Sequence, residues 1–244
     1  MKNHPIYIIG KGNLGWHLAQ LFEFNQIEIK GWLSSRESLE RFDLTNEAIL
    51  FLTVSDSVIE KIVCELLNNN NRLIIVYCSG SIDIVSKYPE NVICWYPLYS
   101  FTKGIPVDWN KVPVFTEIGD SLIKQTIENI NIQLNIKSVE ISAEIRKRLH
   151  LSAVFINNFT TACAIAANTV LNDSKLFTYL LPILNQTIEK ITNYSGDELV
   201  NIQTGPAKRR DEIVIEEHLA LLKSLASERQ LYDAVSKYIK QKTI

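Results

Sequence analysis

Residues 10–15 read Gly-Lys-Gly-Asn-Leu-Gly, directly after the apolar run Ile6 to Ile9 and directly before a segment that sets Leu14, Leu18, Leu21 and Phe22 on one helical face. No other feature constrains the fold as much. Glycines in this context let the backbone turn tightly at Gly10, approach a ligand closely at Gly12 and pack helix against strand at Gly15. The helix start offers free N–H groups and partial positive charge, which suit a pyrophosphate. Gly10, Lys11, Gly12, Asn13, Leu14 and Gly15 are therefore the candidate cradle for a dinucleotide. A chance glycine-rich turn is the rival reading, and the strand before and helix after weigh against it.

Short β-rich runs then alternate with amphipathic segments, the pattern of a parallel sheet covered by helices. Strands are predicted at 6–9, 27–33, 48–53, 73–77, 92–95, 112–116 and 136–139, with helices at 13–24, 57–67 and 120–130 and an Asn-rich connection at 68–71. Past Ala143 the strand signals stop. Helices are predicted over 144–171, over 175–194 with a kink near Pro182, and over 212–240 with a break near Ser227. Gly196, Gly205 and Pro206 mark a loop between the last two. The expected fold class is α/β: a Rossmann, doubly wound, mostly parallel sheet over 1–140, then an all-helical domain over 141–244.

Composition excludes some partners. A formal net charge of -2 with both signs intermixed gives no basic field for nucleic acid. The start of the chain is too brief for a secretory core, and no later apolar stretch of the linear sequence approaches the roughly 20 residues that span a bilayer. A cytoplasmic protein without membrane contact is expected. Cys64, Cys78, Cys94 and Cys163 form neither a CxxC pair nor a metal grouping, so buried reduced thiols and no metal site are expected.

An NAD-binding sheet of this kind carries an acidic residue at the end of its second strand, on the ribose 2′-hydroxyl. Here that place reads Leu33-Ser34-Ser35-Arg36, with no carboxylate before Glu37. Hydroxyls and a guanidinium suit a 2′-phosphate, so Ser34, Ser35 and Arg36 point to NADP; a solvated loop is the plainer reading. Ligands collect at the carboxyl ends of parallel strands. Val54, Ser55 and Asp56 are expected beside the adenosine or ribose, and Ser79 and Gly80 beside the nicotinamide. Turn chemistry, with Asp56 as a helix cap, is the alternative for both stretches.

A nicotinamide supplies the hydride, and the protein orients the substrate and provides a proton donor or acceptor. On the helix that opens the second domain, Arg146, His150, Asn157 and Thr161 fall within an arc of about 60° at roughly 100° per residue. The stripe reads either as a substrate surface or as a satisfied polar seam. In the first reading His150 is the general acid/base and Arg146 holds an anionic group; in the second, Asn157 and Asn158 bond backbone groups and His150 packs neutrally. His150, Arg146 and Asn158 are the candidate catalytic residues. The loop ending Lys208-Arg209-Arg210-Asp211 reads as a basic surface run with Asp211 as an N-cap.

Several segments together carry a resemblance: Gly10 to Gly15, Cys78 to Ser81, Tyr96-Pro97-Leu98-Tyr99-Ser100-Phe101, RKRLHLSAVFINNF from Arg146 to Phe159, and Thr204 to Asp211 followed by His218-Leu219. This set resembles a bacterial Rossmann-like family with a C-terminal domain of unknown function 2520, whose members are described as NADP oxidoreductases. The resemblance covers nearly the whole chain and implies NADP binding and a homodimer whose helices build a cleft between domains. It extends to pyrroline-5-carboxylate reductase and to the 6-phosphogluconate and β-hydroxyacid dehydrogenases, with a helical domain like that of 6-phosphogluconate dehydrogenase. Thr204-Gly205-Pro206 is similar in position to the substrate loop of pyrroline-5-carboxylate reductases.

Two departures matter. Val154 and Ala153 stand where β-hydroxyacid dehydrogenases place a catalytic lysine before their asparagine, and Ala207-Lys208-Arg209-Arg210 replaces the Gly-Gly-Thr-Thr of the pyrroline-5-carboxylate reductases. The leading expectation is an NADP-dependent oxidoreductase acting on a small, anionic carbonyl or imine substrate. Its rival is a non-catalytic NADP(H)-binding sensor or complex subunit, motivated by the missing lysine. A structural helical dimer with a vestigial nucleotide domain comes third, because a decayed site would not keep three glycines in register.

Overall fold

Every residue of β1 (Ile6–Ile9) is buried, and successive residues enter different cores. Ile6 and Ile8 pack with Leu18, Phe22, Phe51 and Trp95, whereas Tyr7 and Ile9 pack with Leu50, Leu52, Ile59 and Tyr77. A strand apolar on both faces needs cover on both, which is the condition for a parallel sheet between helices. The computed structural model describes residues 4–194 and 196–243. It continues with α1 (Asn13–Phe24), β2 (Ile29–Leu33), β3 (Ile49–Leu52), α2 (Asp56–Asn69), β4 (Ile74–Tyr77), β5 (Val92–Pro97), β6 (Val114–Ile118), α3 (Ser121–Gln133) and β7 (Ser138–Glu140).

The seven strands form one sheet in the order β2-β1-β3-β4-β5-β6-β7. From β2 to β5 all neighbours are parallel; β6 runs antiparallel to β5, and β7 is parallel to β6. Leu18, Leu21 and Phe22 of α1 and Ile123, Ile127 and Ile130 of α3 fill one face, and Ile59, Val63 and Leu66 of α2 fill the other. This is the Rossmann-type sheet expected from the sequence, followed by a helical region.

Local chemistry explains where elements begin. β2 starts two residues later than predicted, because Gln26 is left-handed at φ 59° and the Ile27 N–H closes the end of α1 on the Phe22 carbonyl at 2.9 Å. Pro113 has no N–H and gives only its carbonyl, to the Leu98 N–H at 2.8 Å, so β6 begins at Val114. The Asn run is not simply a loop: α2 extends through Asn69, and the Asn70 side-chain amide donates to the carbonyls of Leu44 and Asn46. All four cysteines are free, but Cys64 and Cys163 are exposed, which corrects the expectation of uniformly buried thiols.

The long helix predicted after residue 143 has three parts: α4 (Ala143–Ala153), a π-helical segment (Val154–Phe159) and α5 (Thr160–Leu171). Over Ala143–Leu171 this helix is, by length and composition, long and apolar enough to cross a membrane. That corrects the expectation that no later stretch approaches bilayer length. The charged residues crowd into the first turns, at Glu144, Arg146, Lys147 and Arg148, and leave a mainly apolar remainder.

The chain forms two compact units, Met1–Asn157 and Asn158–Ile244. In the second, α5 is followed by α6 (Ser174–Phe177), α7 (Leu181–Asn193), α8 (Pro206–Arg209), α9 (Glu212–Leu221) and α10 (Ala226–Lys242). Pro182 does not kink a continuous helix. A 3-10 turn at Thr178–Leu180 ends the preceding segment, and the proline lies in the first turn of α7, where its missing N–H is harmless. The last break falls at residues 222–225, ahead of Ser227, which sits in the first turn of α10. Among the described residues of this unit only Ala207, Ile215, Leu222 and Ser236 are buried.

Candidate functional site

The glycine loop is clamped by the strands on either side of β1. Trp32 Nε1 donates to the Gly10 carbonyl at 2.7 Å, the Thr53 hydroxyl donates to it at 3.2 Å, and the Gly10 N–H donates to the Leu33 carbonyl at 2.8 Å. Gly10 has φ +122°, and a Cβ on it would stand 2.4 Å from the Thr53 carbonyl oxygen, so no other residue fits. Gly12 differs: nothing lies within 4 Å of where its Cβ would be. It is also the N-cap of α1, and no side chain caps that helix. Uncapped amides beneath open space fit a pyrophosphate, which Gly12 and the N–H groups of Asn13 and Leu14 would hold. Asn13 meanwhile accepts the Lys103 N–H through its side chain at 3.2 Å, bringing the loop after β5 to the same place.

At the end of β2, Ser34 is half-buried and Ser35 and Arg36 are exposed. The residue passed over in the sequence reading is Glu37. Its carboxylate folds back onto the Ser34 N–H at 2.7 Å and also accepts from Lys11 Nζ at 3.3 Å and Arg41 Nη1 at 2.7 Å. The Ser34 backbone N–H first, then the Ser34 side chain and Lys11, pull its carboxyl down to about 2. The Ser-x-x-Glu spacing of 34 and 37 is the signal that would have found this, since an acidic side chain three residues on reaches back to an N–H.

Along the same sheet edge, Val54 is half-buried and Ser55 is the N-cap of α2 without a side-chain capping bond. Asp56 does not cap that helix; it accepts the Ser81 hydroxyl, joining the ends of β3 and β4. Ser79 is buried, and its carbonyl accepts from Arg146 Nη1 at 2.8 Å. From β2 to β4 the edge spans three strand intervals, about 14 Å at about 4.8 Å each. An extended molecule of two nucleosides joined by a pyrophosphate matches that row.

Arg146 and His150 lie one turn apart on α4 and have different fates. Arg146 is fully buried, and its guanidinium donates to the Ser79 carbonyl, to the Tyr77 hydroxyl at 3.1 Å and to Glu117 at 2.8 Å. Burial pushes the Tyr77 hydroxyl well up, so it stays a neutral acceptor for Arg146 while donating to the Ile82 carbonyl at 3.3 Å. Both terminal nitrogens of the guanidinium are engaged and the whole group is out of reach of solvent, which corrects the reading of Arg146 as the holder of an anionic substrate. The residue pins α4 to the sheet.

His150 is half-buried and rests on Gly80, where a Cβ would meet its Nδ1 at 2.6 Å. Its Nδ1 bonds the Tyr96 hydroxyl at 2.9 Å, with the two rings edge to face. Burial raises the Tyr96 hydroxyl to about 12, so it remains protonated at ordinary pH. An imidazole with one nitrogen fixed on a phenol and seated on a strand-end glycine is an oriented proton donor or acceptor. Tyr96 and Glu117 were not given roles from the sequence, because their partners lie 54 and 29 positions away.

Asn158 is exposed in the π-helical segment. A π turn takes more residues than an α turn, so angular arithmetic at 100° per residue links Arg146 to His150 but does not extend through residues 154–159 to Thr161. In the second unit, Gly205 at φ +100° introduces Pro206, Arg210 is left-handed at φ 55°, and Asp211 caps α9 by accepting the Val214 N–H at 3.3 Å. His218 and Tyr232 form another imidazole–phenol pair at 2.8 Å.

The sheet, the clamped glycine loop and the helical second unit together define a protein with the architecture of NAD(P)-dependent oxidoreductases. The chain belongs to the family described as Domain of unknown function (DUF2520), whose model matches residues 112–239. It is similar over 98% of both chains, at 25% identity and TM-score 0.83, to the structure of a Bacteroides fragilis protein provisionally titled an NADP oxidoreductase. Two more distant structures share the fold. A reductive aminase from Aspergillus terreus, in complex with NADPH and ethyl levulinate, is 12% identical with TM-score 0.65, covering 98% of this chain and 95% of that one. Plasmodium falciparum pyrroline carboxylate reductase with NADP bound is 11% identical with TM-score 0.50 over 100% of both. No curated protein matches the chain.

Proposed function

We propose that the chain is an NADP-dependent oxidoreductase that moves a hydride between the nicotinamide and a small carbonyl or imine substrate. One observation carries the reaction type: His150 seated on Gly80 at the carboxyl end of β4, with Nδ1 held by Tyr96. When bound, the dinucleotide supplies or accepts the hydride. The chain's own residues do the rest. Gly12 and the first amides of α1 hold the diphosphate, and Ser79 and Gly80 form the floor beneath the reacting end. In the tautomer where Tyr96 donates to Nδ1, the ring proton sits on Nε2, which delivers it to the substrate oxygen or nitrogen. The expectation of an anionic substrate loses its support with the burial of Arg146.

We also propose that the second unit works as a homodimer. Ile165, Tyr179, Ile183 and Ile188 are exposed large apolar residues on helices that bury almost nothing within one copy. Apolar surface on that scale marks an interface. A second copy is the better cover than lipid, because the membrane-length helix carries the amides of Asn158 and Asn168, which are costly in hydrocarbon.

The test is calorimetric titration of the protein with NADPH and NADH, followed by NADPH oxidation against a panel of carbonyl and imine compounds. Tight NADPH binding with turnover of one compound is the expected outcome. Binding without turnover across the panel would favour the sensor reading, and no binding would end the cofactor reading.

A further inference from the structure

Lys11 and Glu37 connect two loops separated by 26 positions in sequence. The Glu37 carboxylate sits where three donors converge: the Ser34 N–H at 2.7 Å, Arg41 Nη1 at 2.7 Å and Lys11 Nζ at 3.3 Å. Lys11 belongs to the glycine loop, and Ser34 and Arg41 follow β2. Their meeting point lies at the edge of the cradle where this fold receives the adenosine ribose. An ammonium, a guanidinium and a backbone N–H are also the groups that hold a phosphate monoester. Arg36, one position before Glu37, adds a further exposed cation. The same nest of donors suits either anion, and the one it holds here is part of the chain.

We propose that Glu37 is an internal competitor at the ribose 2′ subsite, so that a 2′-phosphate enters by displacing its carboxylate from Lys11, Arg41 and Ser34. The inference rests on the dinucleotide reading above. A nucleotide with a free 2′-hydroxyl meets no such contest, because that hydroxyl donates to the carboxylate where it already stands. Glu37 therefore narrows the preference that the basic residues alone would give to the phosphorylated nucleotide. The Glu37 side chain is 28% exposed and Lys11 and Arg41 are more so, so each pair is individually weak and the carboxylate acts as a bias, not a block.

The experiment is calorimetry on the full chain with NADPH, NADH and the fragment adenosine 2′,5′-bisphosphate, for the natural protein, Glu37→Gln and Lys11→Ala. Glu37→Gln is expected to tighten NADPH and the bisphosphate about tenfold and to leave NADH unchanged or weaker by about threefold. Lys11→Ala removes a donor used by either anion and is expected to weaken NADPH more than NADH. Opposite signs from the two variants separate the effect from a loosened loop, which would weaken everything. An unchanged NADPH-to-NADH ratio in Glu37→Gln, or a gain for NADH, overturns the proposal while leaving the dinucleotide reading intact. If the natural protein binds neither dinucleotide, both fall together.

Discussion

Gly80 and His150 leave no room between them for a methyl group: a Cβ on Gly80 would lie 2.6 Å from Nδ1, 2.7 Å from Cγ and 2.8 Å from Cβ of the histidine. Gly80→Ala must therefore move the imidazole, and with it the bond to Tyr96. A loss of about 1–3 kcal/mol in urea unfolding is expected, as for other overpacked sites. Full stability together with an unmoved histidine ring resonance would show that the seat is loose.

His150→Ala is expected to lower turnover about 10²- to 10⁴-fold on whichever carbonyl or imine substrate the panel yields, with NADPH affinity changed by less than about threefold. Tyr96→Phe keeps the ring and removes only the hydroxyl. It should reduce kcat by about tenfold and displace the pH–rate profile, since the tautomer is no longer fixed. Identical profiles for the natural protein and Tyr96→Phe would assign the tyrosine to packing alone.

The pair of Arg146 and Glu117 is a matter of stability. Arg146 is fully buried, Glu117 is 17% exposed, and Arg146 Nε has no hydrogen-bond partner among the described residues. Glu117→Gln leaves a buried cation with a neutral neighbour and is expected to cost about 3–5 kcal/mol in urea unfolding. Replacing both residues with apolar ones of similar volume should recover much of that loss. Equal destabilisation in the single and double variants would contradict this account.

Glu37 sets an acid-side prediction. Its folded carboxyl is lowered from 4.5 to about 2, so its contribution is fully present above the unfolded value and disappears as pH falls through the folded one. Its side-chain carbon resonance should titrate near 2. The stability difference between the natural protein and Glu37→Gln should shrink steadily between those two values. A titration near 4.5 would mean that the donors do not hold it in solution.

Association is checked by mass. Sedimentation of the natural protein should give twice the chain mass, and Ile165→Glu on α5 should shift it toward one copy. A natural protein that sediments as a single copy at micromolar concentration removes the homodimer.

The sheet was legible because its signals are local. The strand at Ile6–Ile9 and the helix at Asn13–Phe24 have the limits read from apolar runs and glycines, since both periods repeat within a few residues. The site was less so. That Tyr96 orients His150, or that Glu117 neutralises Arg146, depends on β5 and β6 meeting α4, and no local pattern encodes those pairings. The π-helical segment escaped for a related reason: a wider turn leaves the sequence looking helical while shifting the phase of everything after it. Glu37 does carry a local signal, the Ser-x-x-Glu spacing from Ser34, but it lies beyond the strand-end position where an acid on the ribose is expected.

Because one guanidinium fastens α4 to a carbonyl, a phenol and a carboxylate of the sheet, the histidine a turn later inherits a fixed address. Any tilt of that helix would have to tear out a sequestered charge before the imidazole moved at all. Relatives that take differently shaped molecules are thus expected to vary the walls around the ring and to leave its anchorage alone.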